Sequence, residues 1–92
     1  MTQTYILPDR LDTTAANGLA EALRARMHAP ITVDGAAVEK IGALALQVLV
    51  AAARDWREET IDFTLDRPSD ALLSTCRTLG ITPADIGCPK VE

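Results

Sequence analysis

Along the chain, the period of the apolar positions alternates between that of a strand and that of a helix. Thr4 to Leu7 (TYIL) is a short β-type run that Pro8 ends. From Asp12 on, Ala16, Leu19, Ala20, Leu23 and Met27 recur at three- and four-residue steps, which is the stripe of an amphipathic helix. Asp12 or Thr13 can cap its first amides, Gly18 weakens it, and Pro30 fixes its end. Ile31-Thr32-Val33 reads as a second strand, closed by Asp34-Gly35. Glu39-Lys40-Ile41-Gly42 then leads into a second helix that runs to about Glu58.

Thr60 to Leu65 alternates Ile61, Phe63 and Leu65 with Thr60, Asp62 and Thr64, a third strand with one wetter face. Asp66 to Ser69 restarts a helix, with Pro68 suited to its first turn and Ala71, Leu72, Thr75, Cys76 and Leu79 as its stripe. Gly80 stands where a left-handed C-cap belongs, and Thr82, Pro83 and Gly87 repeat the cap, first turn and stop in miniature. The order β-α-β-α-β-α with short connections predicts right-handed crossovers. The expected fold is a small mixed, mostly parallel sheet of roughly three to five strands carrying three or four helices, in one α/β domain over residues 1–92.

The second helix breaks the pattern. Leu46, Leu49, Val50, Ala53 and Arg57 share one face, and the first four suit a sheet. The opposite face carries Leu44, Gln47, Val48, Ala51, Arg54 and Asp55, and is still apolar near its start. A helix apolar on nearly every side is covered on more than one. The first and third helices are expected to flank it and hide Val48 and Ala51. Leu44, in the first turn, is harder to hide, and an apolar spot left bare there marks a partner site.

The hydrophobic fraction of 48% comes from Ala, Leu, Ile and Val, with Tyr5, Trp56 and Phe63 the only aromatics, and excludes a disordered chain. A net charge of −4 leaves no basic surface to neutralise phosphates, which argues against nucleic acid. Cys76 and Cys88, with the lone His28 distant, do not make a metal set. They could pair, but a small buried residue at Cys76 and a tail thiol at Cys88 is the favoured reading. The start MTQTYILPDR lacks the basic and apolar regions of a signal peptide, and no run approaches the ~20 apolar residues of a membrane span, so a cytoplasmic chain without membrane insertion is expected.

Candidates for chemistry are few. His28, near the end of the first helix, suits that helix's partial negative charge. Asp62 and Asp66 read as solvated carboxylates, and DGAAVEKIG lacks the spacing and Lys of a P-loop. Trp56 follows Leu49 and Ala52 at helical spacing and is expected to pack over the next strand; Arg54 and Glu58 can form a helical pair. No cofactor is implied, and no enzyme.

ILPDRLDTTAANGLAEAL and ITVDGAAVEKIGALAL together resemble the opening strand, turn and first helix, then the central strand, Asp-containing turn and second helix, of the STAS domain family, which includes anti-sigma factor antagonists. In that family the central segment ends in Asp-Ser-Ser/Thr-Gly, and one hydroxyl is phosphorylated by a partner kinase. The resemblance places Gly42, Ala43, Leu44 and Ala45 there, with Leu44 at the phosphoacceptor and Gly42 at the acidic position, while Asp34 remains at the strand end. It implies a non-catalytic protein-binding module whose contact surface is Asp34, Gly42, Ala43, Leu44, Ala45, Gln47 and Val48, with the phosphoserine switch lost. For Thr13 and Ser69, helix capping is the expected role.

On this resemblance the chain is expected to be shorter than usual members, without the first strand of the family's opening hairpin. It resembles the compact STAS proteins found beside bacterial chemotaxis proteins, and also the small subunit of the Mla phospholipid-transport ATPase complex. The partner is accordingly a kinase-like or chemotaxis protein on the first reading and an ABC-type ATPase subunit on the second. A small-ligand carrier or weak enzyme at the strand ends is the reading from another class. Self-association of the apolar face stays open.

Overall fold

Two successive segments of the chain build the same unit. The first comprises β1 (Gln3–Ile6), β2 (Arg10–Leu11) and α1 (Thr13–Arg24); the second, β3 (Ile31–Asp34), β4 (Lys40–Ile41) and α2 (Ala43–Glu58). A third segment supplies β5 (Phe63–Asp66), α3 (Asp70–Thr78) and a 3-10 turn at Pro83–Ile86. The structure, a computed structural model, describes residues 3–88.

The main sheet has the order β1-β3-β5 and is parallel throughout, with Tyr5 opposite Val33 and Val33 opposite Leu65. Its parallel strands are what the alternating order of strands and helices predicts. The short parallel pair β2-β4, Arg10 opposite Lys40 and Leu11 opposite Ile41, is not predicted by any period, because two residues carry none. It is held by the Lys40 N–H donating to the Asp9 carbonyl (3.0 Å) and the Gly42 N–H donating to the Leu11 carbonyl (3.0 Å). Each short strand runs directly into a helix, so the N-termini of α1 and α2 are tied side by side.

One sheet face is buried. Ile31, Val33 and Leu65 join Leu19 and Leu23 of α1, Leu46 and Leu49 of α2 and Leu72 and Cys76 of α3 in a single core. Period-2 alternation sends Thr4, Ile6, Thr32, Asp34, Thr64 and Asp66 to the other face, and none of the six is buried. Helices therefore line one side of this sheet. Among the described residues, no helix is long and apolar enough to cross a membrane.

Four local expectations need correcting. The third strand begins at Phe63, not Thr60, because the end of α2 claims the earlier residues: Thr60 adopts φ 60°, its N–H donates to the Arg57 carbonyl (3.0 Å), and the Ile61 N–H donates to the Trp56 carbonyl (3.0 Å). That is the helix-ending pattern usually built on glycine, and Gly80 (φ 73°) forms it after α3. Secondly, Pro68 precedes α3 instead of lying in its first turn; Ser69 is the cap, its hydroxyl accepting from the Leu72 N–H (3.1 Å). Thirdly, the buried side of α2 is Ala45, Leu46, Leu49, Ala52, Ala53 and Trp56, with Val50 half-buried and Arg57 exposed. Lastly, α1 and the 3-10 turn flank α2 where α1 and α3 were expected; Val48 is half-buried against the core and Ala51 is exposed.

Trp56 packs as expected: it is buried, its ring lies 5.4 Å from that of Phe63, and its Nε1 donates to the Ala29 carbonyl (2.8 Å). Cys88 is not a loose tail thiol. Both cysteines are buried and unpaired, and burial raises both thiols, Cys88 to about 11, so each is a protonated, poorly nucleophilic core residue.

Candidate functional site

The candidate site is the first turn of α2 and the turn that feeds it. Gly42 takes the N-cap position in extended backbone (φ −94°, ψ 170°), and no side chain accepts from the opening amides of α2. By contrast, the Asp12 carboxylate accepts from the Ala15 N–H (2.9 Å) at the start of α1. Uncapped amides at a helix start must meet water or a ligand, so this end of α2 lies at the surface for a backbone reason as well as a side-chain one.

Leu44 is 43% exposed, and Gly42, Ala43 and Gln47 are exposed around it. Ala45 is not on this surface. At 1% exposure it is part of the core, because one residue turns a helix by about 100° and Ala45 follows Leu44 onto the buried side. Val48 lies half-buried one turn further on, at the rim of the groove between α1 and α2 that Ala20, Leu23, Met27 and Ala51 also line.

Asp34 ends β3 and is spoken for. One carboxylate oxygen accepts from the Ala36 N–H (2.9 Å), fixing the turn after β3, and the other accepts from Arg67 Nη2 (2.6 Å). The Arg67 hydrogen bond first, and the Ala36 amide second, hold the Asp34 carboxyl below its usual range. Arg67 is poised by a left-handed backbone (φ 50°), with its own N–H donating to Asp66 Oδ1 (3.0 Å). Its side chain is 66% exposed against 16% for Asp34, so the group this corner presents to solvent is the guanidinium. Sequence reading singled out Asp34 and missed Arg67, 33 positions away in a loop without a period.

Other candidates lie elsewhere. His28, in a left-handed turn (φ 73°), reaches Glu59 Oε1 through Nδ1 (2.7 Å) and joins the end of α1 to the end of α2. Arg54 and Glu58 make no ion pair; among the described residues the pairs are His28–Glu59 and Arg67–Asp34. Asp62 lies outside β5 and Asp66 closes it. Ser69 caps α3, whereas Thr13 is the first residue of α1 behind the Asp12 cap. Among the described residues no polar or charged side chain is buried, and Arg57, Thr60 and Asp62 line an open hollow at the end of α2, away from Leu44.

An α/β layer with helices on one face of a parallel sheet, and an uncapped second helix that opens on an exposed leucine, defines the class. A family model described as "Mlab, STAS domain" matches residues 7–83, and the chain belongs to the STAS domain family. No curated protein and no solved structure matches it.

Proposed function

We propose that this chain is a non-catalytic docking module of bacterial regulation, of the anti-sigma factor antagonist type and working among chemotaxis proteins in the cytoplasm. Its contact surface is the start of α2, and its phosphoserine switch has been replaced by a permanent apolar contact. The observation that carries this reading is Leu44, a leucine nearly half exposed in an uncapped first helical turn with no hydroxyl between Val38 and Gln47. Leaving such a side chain in water forfeits much of the roughly 1.5–3 kcal/mol that its full burial brings, and a partner recovers it.

A second reading, an accessory subunit of an Mla-type phospholipid-transport ABC complex, is favoured by the name Mlab in the matching family's description. The same surface then packs on the ATPase subunit. Capture with the full chain, as wild type and as Leu44→Glu, separates the two. Recovery of a kinase or chemotaxis component that Leu44→Glu loses supports regulation, and recovery of an ABC ATPase that Leu44→Glu loses supports transport. Equal recovery by a folded Leu44→Glu chain removes the α2 surface from both.

A further inference from the structure

We propose that the outer edge of β1 is an interface between two copies of this chain, formed by antiparallel pairing of β1 with β1 of a second copy. The sheet has two edges and treats them differently. At β5, the Leu65 N–H donates to the Gly87 carbonyl (3.0 Å), so the segment after the 3-10 turn meets that edge and satisfies one of its outward groups. Gly87 is required there: its φ is 90°, and a Cβ would lie 2.6 Å from Phe63 Cδ1.

At β1 the corresponding groups have no partner among the described residues. The Leu7 N–H donates to the Asp34 carbonyl (2.9 Å), and Tyr5 lies opposite Val33, so by strand alternation the N–H and C=O groups of Thr4 and Ile6 point away from β3. Among the described residues no backbone or side-chain group bonds to them. Chains that keep such an edge bare blunt it by making it very short, or with lysine, proline, an inward charge or a bulge. Gln3-Thr4-Tyr5-Ile6 is short but carries no lysine, proline, charge or bulge, its register on β3 is unbroken, and Ile6, 66% exposed, is the most exposed large apolar residue described.

Self-complementarity favours a second copy as occupant. A two-fold axis at Tyr5 sets Thr4 of each copy opposite Ile6 of the other and closes four N–H to O=C bonds through the four bare groups on each chain. Only neutral side chains meet along the pair, so two chains of net charge −4 approach without like charges in register. Arg26, whose guanidinium lies 5.0 Å from the Tyr5 ring, is held to its own helix by Nη1 donating to the Ala22 carbonyl (2.8 Å). The product is a six-stranded sheet with both α2 docking surfaces still free.

Sedimentation equilibrium of the full chain between about 1 µM and about 1 mM tests this. The expected result is a reversible dimer that Thr4→Pro, which removes an outward N–H and leaves the β3 ladder intact, weakens about tenfold or more. Ile6→Lys, which puts a charge on the edge, weakens it likewise, and both variants keep the wild-type circular dichroism. A wild-type chain monomeric throughout the range overturns the proposal. So does a dimer that Leu44→Glu dissociates while Ile6→Lys does not, since that contact lies at α2.

Discussion

The two β-β-α units of this chain pair strand for strand and differ where their helices begin. The first opens on Asp12, whose carboxylate satisfies a first-turn amide, and its next residues are polar and exposed. The second opens on Gly42 with no such bond, and its exposed residues are Ala43, Leu44 and Gln47. The strand ends differ in the opposite sense: Ile6 stands where Asp34 stands, and only Asp34 ties down the turn that follows. The first unit is finished at its helix and bare at its strand; the second holds its turn by charge and leaves its helix start open to contact. The two units have thus put an exposed large apolar residue at different stations, Ile6 and Leu44, and the third, Leu79, stands exposed at the end of α3 although its spacing put it on that helix's apolar stripe.

The largest effect that sharpens this comparison lies within one turn of α2. Leu46 is fully buried, so Leu46→Ala is expected to cost about 2–5 kcal/mol, whereas Leu44→Ala is expected to stay within about 0.5 kcal/mol. Urea unfolding of both variants reads this directly, and equal losses would place Leu44 in the core and remove its role at the surface. Next comes the cap: Asp12→Ala is expected to cost about 1 kcal/mol, within roughly 0.5–2, and to leave partner capture through α2 unchanged. A cost near zero would mean that tethering by β2 and β4, rather than capping, holds the start of α1.

Much of this was legible in the sequence where a period repeats. The stripe of α1 returned Ala16, Leu19 and Leu23 as core, and the alternating order of strands and helices returned a mostly parallel sheet. Ile61, Phe63 and Leu65 alternate too, but Ile61 belongs to the end of α2, since a Thr at φ 60° can close a helix as a glycine does and no period announces it. At the candidate site, the exposure of Leu44 was legible because it lies in the first turn of α2, beside the loop, where little can cover it. Ala45 misled because a motif is linear while a helix turns it inward. Arg67 was invisible because only the sheet register, Asp34 opposite Asp66, brings its loop to Asp34.

A smaller effect comes from giving the second unit the cap that the first already has. Gly42 is in extended backbone that any residue adopts, and a Cβ there would meet the Leu11 carbonyl oxygen at an ordinary 3.7 Å. Gly42→Asp should therefore raise stability by a few tenths of a kcal/mol, read as a small rise in Tm. The same carboxylate sets a charge beside Leu44, so capture of the partner is expected to fall. Increased stability with undiminished capture would show that the partner does not approach this turn.

The smallest effect is one of pH, and it tests whether the turn after β3 is held by charge. With its carboxyl lowered by Arg67 and the Ala36 amide, Asp34 stabilises the fold at pH values above the carboxyl range of the unfolded chain, about 3.9, and loses that contribution as pH falls through its own lower value. Arg67→Met removes the larger cause and leaves the Ala36 bond in place. The stability difference between wild type and Arg67→Met should accordingly be present at neutral pH, shrink with added salt because the guanidinium is largely exposed, and close in strong acid. Urea midpoints measured from neutral to acid pH check this. A difference that widens as pH falls has the wrong sign for a depressed carboxyl, and would mean that Arg67 serves the turn through its packing or its left-handed backbone instead.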